Sequence, residues 1–355
     1  MEGASVSEGD TVASQDGRAR GGDTSASGPS SRWQHLLADA IRDPDELWRI
    51  LRLPESTLPA ARASAQLFPL LVPRGFVDLI EPAEPNDPLL RQIVPIVEEA
   101  DARDGFVADP VRESACADTA GLLRKYPGRA LLVTTGACAI HCRYCFRRHY
   151  PYQALPRGRA WWSDAIAACA RDGSLRELIL SGGDPLTLPD EQLSEIARAA
   201  GAVPHLQRLR IHSRLPVVLP ERVDDRLLEW FTGARLSPVM VIHANHPREL
   251  SASVASACSR MRRAGITLLN QSVLLRGVND SVDTLVALSE RLFEIGVMPY
   301  YLHALDRVAG SAHFEVEDER AAGLMRSIAA RLPGYLIPKW VREVPGEANK
   351  VGLPW

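Results

Sequence analysis

Apolar and polar positions follow two rhythms along this chain. From Trp33 to Ile50, Leu36, Leu37, Ala40, Ile41 and Leu47 recur at helical spacing, and Asp43-Pro44 divides the run in two. Further helical patches cover 58–68 and 87–99. From Arg129 onward the pattern changes to short apolar runs. These predict strands at Ala130–Thr135, Glu177–Leu180, Arg208–His212, Val239–His243, Thr267–Val273, Met298–His303 and Tyr335–Val341. Between most of them lie helical stretches: Trp161–Arg171, Glu191–Ala200, Asp225–Phe231, Arg248–Arg263, Val282–Ile295 and Glu317–Leu332. Strand–helix alternation predicts an α/β fold with a parallel sheet and crossover helices. The number of units points to a partial (β/α)6-type barrel over 121–355, preceded by a helical N-terminal section over 32–120. Residues 1–31, rich in Ser, Gly, Asp and Ala, read as a disordered tail.

In such a barrel the chemistry sits in loops after the strands, and the unusual residues of this chain fall there. The first strand is followed by Cys138, Cys142 and Cys145 at C-x3-C-x2-C spacing. Three thiolates in one tight loop are enough to hold a four-iron cube while leaving one iron free to bind a small molecule. A Cys3His zinc site using His141 or His149 is the competing reading, and would make the protein a zinc-stabilised binding module. The remaining cysteines, Cys116, Cys169 and Cys258, show no disulfide framework. Ser181-Gly-Gly-Asp184 follows the second strand, where two glycines would let backbone approach a ligand and Asp184 could accept from an ammonium group. Arg147 and Arg148 follow the last cysteine, as a carboxylate clamp or as counter-charge to an anionic centre. His243 and Gln271 lie at strand ends, facing a ligand or filling the core.

Composition narrows the partners. At 46% hydrophobic and 24% charged, the chain can bury an ordinary core, and a formal net charge of −3 offers no field for nucleic acid or anionic membrane. No apolar run approaches the ~20 residues that span a bilayer, and no signal-peptide pattern opens the chain. These features predict a cytoplasmic protein. Of 41 basic residues only Lys125, Lys339 and Lys350 are lysines. Because only an amine forms a Schiff base, a retained lysine is a candidate for chemistry that arginine cannot perform. Lys350 sits in a turn-prone segment after the last strand, placed to reach the cavity of the cysteine loop.

The chain resembles the lysine 2,3-aminomutases, radical S-adenosylmethionine (SAM) enzymes that also bind pyridoxal 5′-phosphate (PLP). The likeness rests on Lys125-Tyr-Pro-Gly-Arg129, the cysteine stretch with Arg147-Arg148, Ser181-Gly-Gly-Asp-Pro-Leu186, Asn245-His-Pro247, Asn270-Gln-Ser272 and Pro299-Tyr-Tyr-Leu-His-Ala-Leu-Asp306, and runs from about residue 60 onward. It implies a [4Fe-4S] cluster on Cys138, Cys142 and Cys145. Lys350 becomes the PLP lysine, with Tyr126 and Arg129 in the same cofactor site. Ser181, Gly182, Gly183, Asp184, Ser213, His243 and Gln271 would hold SAM. Arg147 would take the carboxylate of L-lysine, and Asp306 with Glu343 its distal ammonium. The implied reaction is 2,3-amino migration to β-lysine, driven by a reductant protein such as flavodoxin or ferredoxin. Two departures stand out: Glu343 occupies the place of a second aspartate, and five residues follow Lys350 where the longer enzymes continue. Both traits are similar to the bacterial branch that makes (R)-β-lysine for elongation factor P and its lysyl-ligase, and they argue against a tetramer. The alternative is a free-standing catabolic lysine aminomutase, or less well suited, a glutamate one, whose side-chain carboxylate the acidic pair would repel.

Overall fold

The computed structural model describes residues 31–119, 121–155, 158 and 161–355, so the tail expected over 1–31 lies outside the described residues apart from Ser31. Ten strands form one sheet in sequence order: β1 (Ala117–Thr119), β2 (Leu122–Tyr126), β3 (Arg129–Val133), β4 (Glu177–Ser181), β5 (Arg208–Ser213), β6 (Ser237–Ile242), β7 (Thr267–Val273), β8 (Met298–His303), β9 (Lys339–Arg342) and β10 (Val351–Gly352). β3 to β9 pair in parallel, while β1–β2–β3 at one edge and β9–β10 at the other are antiparallel. The order begins at β1 and ends at β10, so among the described residues the barrel is partial.

The reason for this architecture lies in the strand faces. All five residues of β4 are buried, as expected of a parallel strand covered on both sides. Leu178, Leu180, Leu209, Ile211, Met240 and Ile242 are fully buried in the same core as Leu193, Ile196, Ala197 and Ala200 of the helix Asp190–Gly201. Burying each leucine contributes about 1.5–3 kcal/mol against its exposed state.

Several expectations need correction. The stretch from Tyr335 is not strand: Gly334–Leu336 is a 3-10 turn, and pairing begins only at Lys339, after Pro338. The run Arg248–Arg263 breaks into a 3-10 turn (Pro247–Glu249) and a helix (Ala252–Arg263) that starts where the Ser251 hydroxyl caps Val254 N. The patch 87–99 is a short helix, Pro88–Arg91, capped by Asp87, and a separate 3-10 turn, Val97–Ala100. Pro95 denies that segment a backbone donor and biases Val94 away from helix. Lys125, read as preceding the first strand, lies inside β2. The hairpin joining β2 to β3 turns at Pro127-Gly128, with Gly128 at φ +75°.

The N-terminal section supports the cysteine loop directly. His141 N donates to Leu71 O (2.9 Å) and Arg143 N to Gln92 O (2.9 Å). No helix among the described residues is long and apolar enough to cross a membrane.

Candidate active site

The loops after the parallel strands surround a cavity of about 270 Å³. The residues that the resemblance implied for cluster, cofactors and substrate all line it: the three cysteines, Arg147, Ser181 to Asp184, Ser213, His243, Gln271, Asp306, and from the two edge hairpins Tyr126, Arg129, Glu343 and Lys350. The hairpins matter because they bring chemistry from opposite ends of the sheet to one place. Lys350 precedes β10, whose pairing Val351↔Arg342 folds it back beside Glu343.

The cysteine loop is held by ion pairs that the sequence reading passed over. Arg143, fully buried, donates through Nε to Glu99 Oε1 (2.7 Å), and Arg148 Nη2 donates to Glu99 Oε2 (2.7 Å). Arg148 is therefore a structural cation. Arg214 Nη1 donates to Cys142 Sγ at 2.7 Å, and its Nη2 to Gln92 (2.7 Å) and Glu249 (2.9 Å). Burial, with the charges of Cys145, Asp184 and Cys142 beside it, pushes the Cys138 thiol well up. Burial and Cys142 push Cys145 up to about 11. Two thiols whose ionisation is opposed in this way call for a cationic partner. The two histidines offered for a zinc site each hold a backbone carbonyl. His141 Nδ1 lies 2.8 Å from Pro69 O and His149 Nε2 3.2 Å from Ala309 O. Among the described residues, no three His, Cys, Asp or Glu side chains converge on a single-ion site.

Gly182 and Gly183 serve a different approach from the one expected. Gly183 N donates to Thr135 O (2.6 Å) and Asp184 N to Ala137 O (2.7 Å), so the two glycines press against the backbone leading into Cys138. A Cβ on Gly183 would stand 2.2 Å from Ala137 O, and one on Gly182, at φ +132°, 2.6 Å from Thr135 O. Asp184 is corrected likewise. Its carboxylate accepts from Ser213 Oγ (2.7 Å), Leu186 N (3.1 Å), Arg214 N (2.8 Å) and Leu215 N (3.1 Å). With its lone-pair sites filled, it ties the loop after β4 to the loop after β5, and Ser213 is spent on the same tie. The open polar atoms lie elsewhere. His243 Nε2 and Gln271 Oε1 are buried without a partner, as is Nε2 of His303, which the sequence reading did not single out. Burial and nearby cations lower His243 to about 3 and His303 well below the usual histidine value, so both imidazoles are neutral. Orphaned buried polar atoms facing a cavity are the signature of a polar ligand.

An alternating chain of charges runs along the wall. Arg147 Nε and Nη2 donate to Glu113 Oε2 (2.7 Å) and Oε1 (2.8 Å), while its Nη1 donates to Ser181 Oγ (2.8 Å) and Gly182 O (3.1 Å). Lys125 Nζ lies 3.3 Å from Glu113 Oε1 and 3.3 Å from Glu343 Oε1. Lys350 Nζ donates to Glu343 Oε2 at 2.6 Å, and the Tyr126 hydroxyl donates to Glu343 Oε1. Arg129 stacks over the Tyr126 ring at 4.7 Å. Burial alone would raise the Glu343 carboxyl, but Lys350 and Lys125 hold it at about 2. Two readings change as a result. The Arg147 fork, expected free for a carboxylate, is engaged by Glu113, and Glu343, expected to meet a substrate ammonium, is already neutralised by two lysines. Asp306 is the contrast. Among the described residues its side chain makes no hydrogen bond, and burial raises it to about 7, Lys350 opposing and Glu343 adding to the shift. Lys339 is exposed and away from the cavity.

Comparison with known proteins adds to this geometry. Residues 132–288 match the radical SAM superfamily. The chain is 47% identical over 322 residues to the L-lysine 2,3-aminomutase of Escherichia coli strain K12, covering 90% of this chain and 94% of that protein. It is 43% identical to the Haemophilus influenzae protein of the same name, with the same shares covered. Against the L-lysine 2,3-aminomutase of Clostridium subterminale, identity is 32%, covering 90% of this chain and 76% of that one.

Proposed function

Since this chain belongs to the lysine 2,3-aminomutase family of radical SAM isomerases, we propose that it converts L-lysine to (R)-β-lysine using a [4Fe-4S] cluster, SAM and PLP. The observation that carries this reading is the meeting of the three thiols of the first loop and the Lys350–Glu343 pair of the last hairpin in one cavity. When bound, the cluster with SAM supplies one-electron chemistry, and PLP supplies a conjugated aldehyde that can carry the migrating nitrogen. Cys138, Cys142 and Cys145 would hold the cluster, His243 and Gln271 would satisfy their open atoms on SAM, and Lys350 would anchor PLP beside Tyr126 and Arg129.

The chain's own groups then sort the substrate. Arg147 gives four of its five N–H donors to Glu113, Ser181 and Gly182. The remaining one, on Nη2, is left for the α-carboxylate. Asp306, half-buried and without a side-chain hydrogen bond among the described residues, gains its missing counter-charge from the distal ammonium. Glu343 keeps Lys350 Nζ oriented and shields the substrate ammonium from it. A glutamate side chain in place of lysine would set a carboxylate against Asp306 and Glu343, which disfavours a glutamate aminomutase. The neutral His243 and His303 add no charge that would compete for either end.

Anaerobic incubation with L-lysine, SAM, PLP and dithionite, followed by chiral analysis, is the test. (R)-β-Lysine is expected, and its absence from cluster-loaded protein would sink the proposal. We further assign the product to modification of elongation factor P. Glu343 in place of a second aspartate supports this. In cells lacking their own aminomutase, this chain should restore β-lysylated elongation factor P. Free β-lysine without the modified factor would favour the catabolic role.

A further inference from the structure

Glu113 takes part in no motif, yet it pairs with two cations on the cavity wall. It is 2% exposed, on the 3-10 turn Glu113–Cys116 that leads into β1. It meets two cations from different elements: Arg147 from the cysteine loop, bidentately at 2.7 and 2.8 Å, and Lys125 from β2 at 3.3 Å. Lys125 continues through Glu343 to Lys350. Glu113 therefore joins the cysteine-loop side of the cavity, through Lys125 and Glu343, to the hairpin that carries Lys350.

We propose that Glu113 is the positioning residue of substrate recognition: by clamping the Nε–Nη2 edge of the Arg147 guanidinium while Ser181 and Gly182 hold Nη1, it leaves a single N–H directed at the α-carboxylate. This inference rests on the function proposed above. The geometry supports it in three ways. A bidentate carboxylate fixes the plane of a guanidinium, which one hydrogen bond cannot do. Both N–H groups of Arg147 Nη1 are taken by Ser181 Oγ and Gly182 O, so the group has no freedom to present a fork elsewhere. Glu113 also balances Lys125, so that this amine, beside Arg147 on the wall, is not left to capture the substrate carboxylate at the wrong place.

The test is equilibrium binding to cluster- and PLP-loaded protein with SAM present and no reductant, so that no turnover occurs. L-Lysine is compared with 1,5-diaminopentane, which keeps the distal ammonium and lacks the carboxylate. In Glu113→Gln, lysine should bind about tenfold more weakly, the scale of one lost charge-assisted hydrogen bond, while diaminopentane binding stays at the wild-type value. Glu113→Asp, which keeps the charge, should recover part of the loss. Equal or tighter lysine binding in Glu113→Gln overturns the proposal, and so does parallel weakening of both ligands, which a merely structural role would give. Iron content and PLP absorbance of each variant identify one that has misfolded, in which case the Glu113→Asp comparison decides. A wild-type protein that binds lysine no better than diaminopentane would instead overturn the substrate assignment itself.

Discussion

Asp306 makes the sharpest prediction at the scale of single residues. Its carboxyl is raised to about 7 by burial, against the pull of Lys350, with Glu343, Lys125 and Glu113 as the other charges it feels. A protonated carboxyl cannot hold an ammonium ion. Lysine affinity should therefore be level above about pH 7 and fall about tenfold per pH unit below it, since each unit costs 1.36 kcal/mol of linkage. His243, at about 3, and Glu343, at about 2, do not titrate in that window. Calorimetric titration of wild type and Asp306→Asn between pH 5.5 and 8.5, taken as a rough working range, would check this. A variant that retains the slope would move the effect to another group. The cysteines were legible because their chemistry is tied to residue type and spacing, and Asp306 through the family resemblance of the segment Pro299–Asp306. The sequence could not announce Glu113, Arg214 or His303. Their importance comes from partners far along the chain: 34 residues separate Glu113 from Arg147, and 122 separate Gln92 from Arg214. A retained buried charge carries no local signature.

Among the elements, the loop after β4 and the loop after β3 behave as one unit. Asp184 knots its own loop to the next, and the glycines before it give up side chains so that the two backbones can touch. Gly183→Ala would force a methyl group onto Ala137 O, adjacent to Cys138, and overpacking of this kind costs about 1–3 kcal/mol. The damage should appear as iron content well below that of wild type after anaerobic reconstitution, with far-ultraviolet circular dichroism unchanged. Normal iron loading would show that the cysteine loop adjusts independently of the glycines. The parallel strands themselves were legible from β3 to β8, because buried strands alternating with amphipathic helices leave a strong periodic trace. The two edge hairpins were not. β10 has only two residues, and β2 borrows its identity from pairing with β3, so neither is long enough to show a period.

For the molecule as a whole, the N-terminal section is a clamp on the catalytic loop. Glu99 neutralises Arg143 and Arg148 together inside a fully buried site. Glu99→Ala would strand two guanidinium groups, and breaking such a pair costs about 3–5 kcal/mol. The melting temperature should drop by several degrees and iron retention should decline with it; an unchanged melting curve would contradict the clamp. The strand order carries a last consequence, for kinetics. Because β1 to β10 neighbour one another in the order they occur along the chain, each new strand finds its partner in the segment just before it. Little loop entropy is lost at any single step, and assembly can proceed along the chain without waiting for distant segments. The alternating charges are the exception. Arg147 belongs to the first parallel crossover and Lys350 to the final hairpin, so that chain of ion pairs closes only when the sheet is complete. Ligation of the cysteine loop can therefore precede completion of the cofactor pocket, and a folding intermediate arrested between the two would hold iron and lack any site for PLP.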